Sequence, residues 1–239
     1  MRHLRNQIVL FFCFFTLINY SQDLISFHNS GNFQLIQKLS FYDINIKGTP
    51  FIFEDFVTGQ IVFESGKNIV GDFRMDLYAH KIQTKNNDGK IFEINIDKNF
   101  ELIINGKTFS FHELDLIETN NFVILRECLK LENISLYEFY NKDLKKPIEV
   151  TGSAANSGYG KTADPEWVDQ YSYIIYHKKE YFEVPKNHKK MIGLKLFDEK
   201  EYTKFRKENK INLKKEEDLK QLITSVSYTH LRAHETKPN

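Results

Sequence analysis

The residues of this chain that are equipped for chemistry are few and scattered. Ala155–Thr162, ANSGYGKT, comes nearest to a phosphate-binding loop, in which backbone N–H groups and a lysine hold phosphate oxygens. Ala155 stands where that pattern needs its first glycine, and Pro165 follows Lys161 too soon for the apolar helix the lysine should open. The stretch therefore reads as a flexible Gly/Ser/Asn loop. His112 and Glu113 start like a zinc-protease helix, but Leu116 occupies the place of the second histidine. Away from the two ends the histidines are His28, His80, His112, His177 and His188, and no two are spaced as metal ligands on one element. No serine stands in a G-x-S-x-G turn, and the carboxylates form no pair that sequence alone can assign to glycosidase chemistry. Cys128 lies in the apolar run FVILRECLKL, with no His/Asn signature beside it, so it reads as a packed thiol and not a nucleophile. The expectation is a non-enzymatic protein with no cofactor and no metal.

One segment invites a binding role. Gly152–Asp169 is long, rich in small residues, and contains Tyr159, Lys161 and the only tryptophan, Trp167. Long loops are disproportionately functional. The competing reading makes Trp167 a plug at the edge of the core. Tyr159, Lys161 and Trp167 are the candidate ligand- or partner-binding residues.

The elements that must position these residues read as short strands. Phe51–Phe53 and Gln60–Phe63 are apolar, with a turn at Ser65-Gly66. Over Asp72–Tyr78, Phe73, Met75 and Leu77 alternate with Arg74, Asp76 and Tyr78, the period of a strand with one buried face. Asn86–Gly89 is a turn, after which Phe92, Ile94 and Ile96 repeat the alternation. Asn105-Gly106 separates Leu102–Ile104 from Thr108–Phe111, a strong hairpin signal because both turn residues tolerate positive φ. Strands follow at Phe122–Leu131 and Ile134–Tyr140, and Ser172–Val184 reads as a hairpin turning near His177–Lys179 that Pro185 ends. The period then changes. Asp198 is a plausible N-cap for an amphipathic helix to about Asn209, and a second helix starts near Lys214 with Leu219, Leu222 and Ile223 on one face. The predicted fold is mainly β: an antiparallel meander forming a sandwich or curved sheet, with a short α-helical C-terminal segment.

The two ends carry other signals. Arg2 and Arg5 precede the uncharged run Ile8–Ile18, and Ser21 supplies a small residue for cleavage, the layout of a secretory signal peptide. The run is about half the ~20 residues a membrane-spanning helix needs, so no stable transmembrane anchor is expected. Val226–Thr236, VSYTHLRAHET, translates back to a string resembling a transposase-type sequencing adapter, so residues 225–239 are set apart as a non-native tail and the natural C-terminus is expected to lie elsewhere. The organisation read from the sequence is a signal peptide at 1–21, an antiparallel β domain at 22–185, a helical segment at 186–224 and the tail at 225–239. Residues 22–224 hold 29 basic and 31 acidic side chains, without the basic field a nucleic-acid binder shows. Cys128 is the only cysteine after the signal region, which excludes an internal disulfide.

Gly48–Gly59 (GTPFIFEDFVTG), Asp72–Tyr78 with the later GKIFEI, the Asn-Gly-Lys hairpin at 105–107, and the ending KFRKENKINLKKEEDLKQLI resemble exported β-rich proteins of Bacteroidota-type Gram-negative bacteria. The resemblance spans most of Gly48–Ile223. It implies export to a periplasmic or outer-membrane-associated/extracellular location and carries no catalytic residues. The resulting expectation is an exported envelope protein acting as an interaction or structural module, with another envelope protein as partner. The alternative is a ligand-binding β module with an aromatic-lined cavity. A filled core with an exposed aromatic strip favours the first, and a closed apolar pocket the second.

Overall fold

The computed structural model describes residues 35–37, 46–94, 100–114, 122–146 and 164–235, with backbone only for 35–37 and 226–235. The signal segment, Tyr159 and Lys161 lie outside these residues. The protein is mainly β, and its strands pair antiparallel in open order. The described chain gathers into two compact units.

The first unit comprises the described residues up to Gly106 together with those in 144–167. It holds β1 (Leu35–Gln37), β2 (Val57–Phe63), β3 (Asn68–Asp76), β4 (Lys81–Lys85), β5 (Ile91–Ile94) and β6 (Phe100–Ile104), in the order β1-β5-β4-β3-β2-β6. Turn chemistry sets this meander. Asn86 Oδ1 accepts the Asp88 and Lys90 N–H groups, and Gly66 and Gly89 take positive φ. Phe73, Met75 and Leu77 are buried as the alternation requires, beside Ile61, Ile82, Ile94 and Leu102. Asp76 departs from the expected outward face and is fully buried. Its Oδ1 accepts the Tyr78 and Ala79 N–H groups at 3.1 and 2.9 Å, so it ends β3 by capping the following turn. At Phe51–Phe53 the chain forms an isolated bridge from Phe51 to Asp76, not the strand expected there.

The second unit comprises the described residues in 107–143 and from Val168 onward. Its strand order is β7 (Lys107–Glu113), β8 (Phe122–Lys130), β9 (Ile134–Lys145), β10 (Glu166–His177), β11 (Glu180–Glu183). β9 and β10 run a few residues past the division at one end. Lys178 and Lys179, at φ 50° and 68°, turn β10 into β11. Three helices follow: α1 (His188–Gly193), α2 (Glu199–Asn209) and α3 (Glu216–Glu235). Asn187 caps α1, which the sequence reading does not anticipate, and Asp198 caps α2 by accepting from the Lys200 and Glu201 N–H groups.

The helices close over one face of these strands. Leu136 and Ile175 from β9 and β10 share a core with Met191, Tyr202, Leu213, Leu219, Leu222 and Ile223. Burying each large apolar side chain contributes roughly 1.5–3 kcal/mol. Neighbouring strand residues form a second cluster: Leu114, Val123, Leu125, Tyr137, Phe139 and Ile174, with Tyr176 and Tyr181 against it. α3 runs on to Glu235, through the tail set apart in the sequence, because extending a formed helix needs no new nucleation. Among the described residues no helix is long and apolar enough to cross a membrane.

Candidate functional site

Of the three residues singled out by sequence, only Trp167 is described. It belongs to the first unit and is 7% exposed. Its N–H donates to the Lys47 carbonyl at 3.0 Å, and Lys47 N–H donates to the Pro165 carbonyl at 2.9 Å. The indole meets Tyr78 edge-on, with centroids 4.9 Å apart. Gly48, at φ 82°, turns the chain past it, and a Cβ built there would lie 3.6 Å from Trp167 Cβ. Trp167 is therefore a packed element of this unit and offers no free ring face of the kind a ligand would stack on.

Two polar clusters that the sequence does not announce lie in the second unit. The first begins with Arg126 of β8, directly opposite Glu138 of β9. Arg126 Nε donates to Glu138 Oε2 at 2.7 Å, and its Nη2 reaches Glu138 and also Glu216, at the start of α3. Lys220, one turn later, pairs with Glu216 at 2.6 Å. Burial opposes the charged form of Glu216, but hydrogen bonds from Arg126 and Lys220 outweigh it and hold the carboxyl down at about 2. Arg126 is likewise desolvated, and its two carboxylate partners raise its pKa despite that.

Cys128 belongs to the same cluster. Its Sγ and the carboxylates of Glu138 and Glu216 lie within 4.8 Å of one another, a spacing within reach of one metal ion. The donor set does not fit one. The Arg126 guanidinium already sits against both carboxylates, and burial pushes the thiol up to about 12, so it is protonated and poorly nucleophilic. The arrangement acts as an ionic clasp that fixes the first turn of α3 to β8 and β9.

The second cluster stands on β7. His112 Nε2 shares a hydrogen bond with Ser110 Oγ at 2.7 Å, and Nδ1 shares one with Tyr181 Oη of β11, also at 2.7 Å. The ring packs on Tyr137 and meets Tyr181 edge-on. Desolvation, with a smaller push from Lys130, drives the imidazole down to about 4, so it is neutral at pH 7. A serine, a neutral histidine and a third group that orients it meet the first geometric demand of nucleophilic catalysis. The second demand is a pair of N–H donors for an oxyanion. Around Ser110 the β7 backbone is committed to its ladder with β8, where Ser110 pairs with Leu125 and His112 with Val123. The trio ties β7 to β11 without completing an acyl-transfer site.

An accessible stretch lies on the outer part of β10. Val168, Asp169, Gln170 and Tyr171 are consecutively exposed, Val168 at 38% and Tyr171 at 61%. β11 pairs with β10 only over Ile174–His177. The Tyr171 ring rests edge-on against Tyr140, and Asp169 is paired with Lys142.

No protein-family model matches the chain, no curated protein matches its sequence, and no solved structure matches its fold.

Proposed function

We propose that this chain is an exported, non-enzymatic protein of the bacterial envelope, periplasmic or outer-membrane-associated, that contacts a partner protein through the uncovered outer part of β10. The observation that carries the reading is the exposure of Val168 and Tyr171 on the same strand that buries Ile174 and Ile175 further along. The condition of the polar clusters supports it. The Cys128 thiol is protonated, Arg126 is saturated by Glu138 and Glu216, and both His112 nitrogens are engaged. The signal-like sequence of residues 1–21 supports export.

The second reading, a ligand-binding module, would draw on the aromatic cluster of His112, Tyr137, Tyr176 and Tyr181. A ligand there would have to displace Ser110 or Tyr181 from the imidazole.

Expression in a Gram-negative host tests the proposal. The processed chain is expected in the periplasmic or outer-membrane fraction with its N-terminus near Gln22. A photo-crosslinking residue at position 171 is expected to give a discrete adduct that the same residue at Asp88, in an exposed turn, does not. A full-length cytosolic chain would overturn export, and equal adducts from both positions would overturn the partner surface.

A further inference from the structure

We propose that the outer face of the helical layer docks on an anionic membrane surface through an array of lysines. The near-even charge of residues 22–224 conceals a segregation along the chain. Residues 186–215 hold eleven basic side chains against four acidic ones, while the rest of 22–224 holds 18 basic and 27 acidic. Ten of the eleven are lysines, and all ten are exposed. Among the described residues none of the ten is paired with a carboxylate; the ion pairs of this unit sit elsewhere, on Arg126, Lys130, Lys142 and Lys220. The fold gathers the array on one side. Lys200, Lys204 and Lys207 of α2 recur at i, i+4 and i+7, opposite the buried Tyr202. Met191 of α1 and Tyr202 of α2 bury into the same core as Leu136 and Ile175 of the strands, so the exposed lysines of both helices look away from the sheet together. Helix electrostatics does not account for them. A cation in a first turn opposes the helix dipole, yet Lys200 stands there in α2, and the first turn of α1 contains Lys189 and no acidic residue.

The kind of charge identifies the occupant. Lysine ammoniums are mobile point charges without the planar fork by which arginine grips one phosphate, and the one arginine here, Arg206, is half-buried. Spread over two helices and the loops beside them, they match a surface carrying many phosphates and not a single bound one. Among the described residues no large apolar side chain of 186–215 is exposed. Nothing on this face would enter hydrocarbon, so the contact stops at the headgroups. For the same reason the face offers no ring on which nucleic-acid bases could stack. The choice of a membrane over a nucleic acid also rests on the export reading; the array itself does not, and it is separate from the exposed part of β10. Each lysine held close to an anionic leaflet strengthens binding roughly fivefold, and screening over about 8 Å confines the effect to those that face it.

The test uses the full chain and sedimenting vesicles of phosphatidylcholine, alone or with about one-third phosphatidylglycerol. The neutral vesicles correct for insertion of the apolar run Ile8–Ile18. Anionic vesicles are expected to bind at least about tenfold more tightly at low salt, and about 0.5 M salt should remove the difference. Lys200→Gln, Lys204→Gln and Lys207→Gln combined should weaken anionic binding at least about tenfold. These side chains are exposed, so the melting temperature should hold. Lys67→Gln, Lys90→Gln and Lys107→Gln combined remove the same charge from exposed positions outside the helices and should keep binding within about threefold. Equal affinity for both vesicle types at low salt, or equal losses in the two triple variants, overturns the array. A single-stranded oligonucleotide that binds more tightly than anionic vesicles at equal phosphate concentration overturns the membrane as occupant. If anionic vesicles bind as expected while fractionation finds the chain in the cytosol, export falls and the docking face stands.

Discussion

Gly59 of β2 has no room for a side chain against β6. A Cβ built there would stand 2.6 Å from Ile104 Cγ1 and 2.8 Å from the Ile103 carbonyl oxygen. The carbonyl cannot move aside without disturbing the β2–β6 ladder, in which Gly59 pairs with Ile104. Gly59→Ala is therefore expected to cost about 1–3 kcal/mol, read as a lower urea midpoint with an unchanged m-value. In the second unit the sensitive residue is Arg126. Arg126→Ala leaves the buried Glu138 carboxylate without its cation and Glu216 with Lys220 alone, and should cost about 3–5 kcal/mol. Replacing Arg126, Glu138 and Glu216 together by leucine should be much less damaging, since no buried charge is then stranded. A triple variant as unstable as the single one would contradict the reading of the clasp as a desolvated ion network. None of this was legible in sequence. Arg126 and Glu216 lie 90 residues apart, and neither type nor spacing marks a long-range pair. The same holds for His112 and Tyr181, 69 residues apart.

At the scale of elements the sequence was informative wherever a local rule decides the outcome. Asn105-Gly106 forms a turn with both residues at positive φ, at 51° and 70°. Asp198 caps α2, and α2 ends at Asn209 as its pattern indicates. Leu219, Leu222 and Ile223 are the fully buried face of α3. Local rules failed where tertiary structure overrode them. β10 begins at Glu166, six residues before the apolar alternation that marks it, because pairing beside β9 extends the strand into a polar sequence. α1 is too short to show a helical period and is held by Asn187 and by a 2.6 Å hydrogen bond between His188 and Tyr202. The division into two units falls at the Asn105-Gly106 turn and within β9 and β10, where composition does not change. Leu219→Asp should place a charge in the shared core of helices and strands at a cost of several kcal/mol. Hydrogen exchange should accelerate through α2, α3 and the inner parts of β9 and β10, while β2–β4 of the first unit stay protected. Equal acceleration in β2–β4 would mean that the two units unfold together. Deleting residues 225–239 leaves Leu219, Leu222 and Ile223 in place and should shift the melting temperature by less than about 2 °C.

For the whole molecule the sharpest consequence is its response to acid, because two strongly shifted groups titrate in different windows. His112 has its folded-state pKa pushed below the ordinary histidine value of 6.5, to about 4. Between these values the unfolded chain binds the proton and the folded chain does not, so stability falls as pH drops through that window. His112 stabilises fully above about pH 6.5, and its contribution is spent below about 4; the whole loss is up to about 3 kcal/mol. Glu216 has its pKa lowered from 4.5 to about 2. Its stabilisation is present above about pH 4.5 and fades as pH falls toward 2, when protonation releases it from Arg126 and Lys220. Acid should therefore weaken the second unit in two overlapping stages, the imidazole first and the clasp second. Urea unfolding at a series of pH values measures this directly. His112→Gln keeps a polar group beside Ser110 and Tyr181 but cannot titrate. It should lower stability at pH 7 yet flatten the slope between about pH 6.5 and 4, leaving the fall below about 4.5 intact. Glu216→Gln should do the reverse, flattening only the lower stage. An unchanged upper slope in His112→Gln would show that another group carries the first stage, and the neutral, doubly bonded imidazole would then not be what ties β7 to β11.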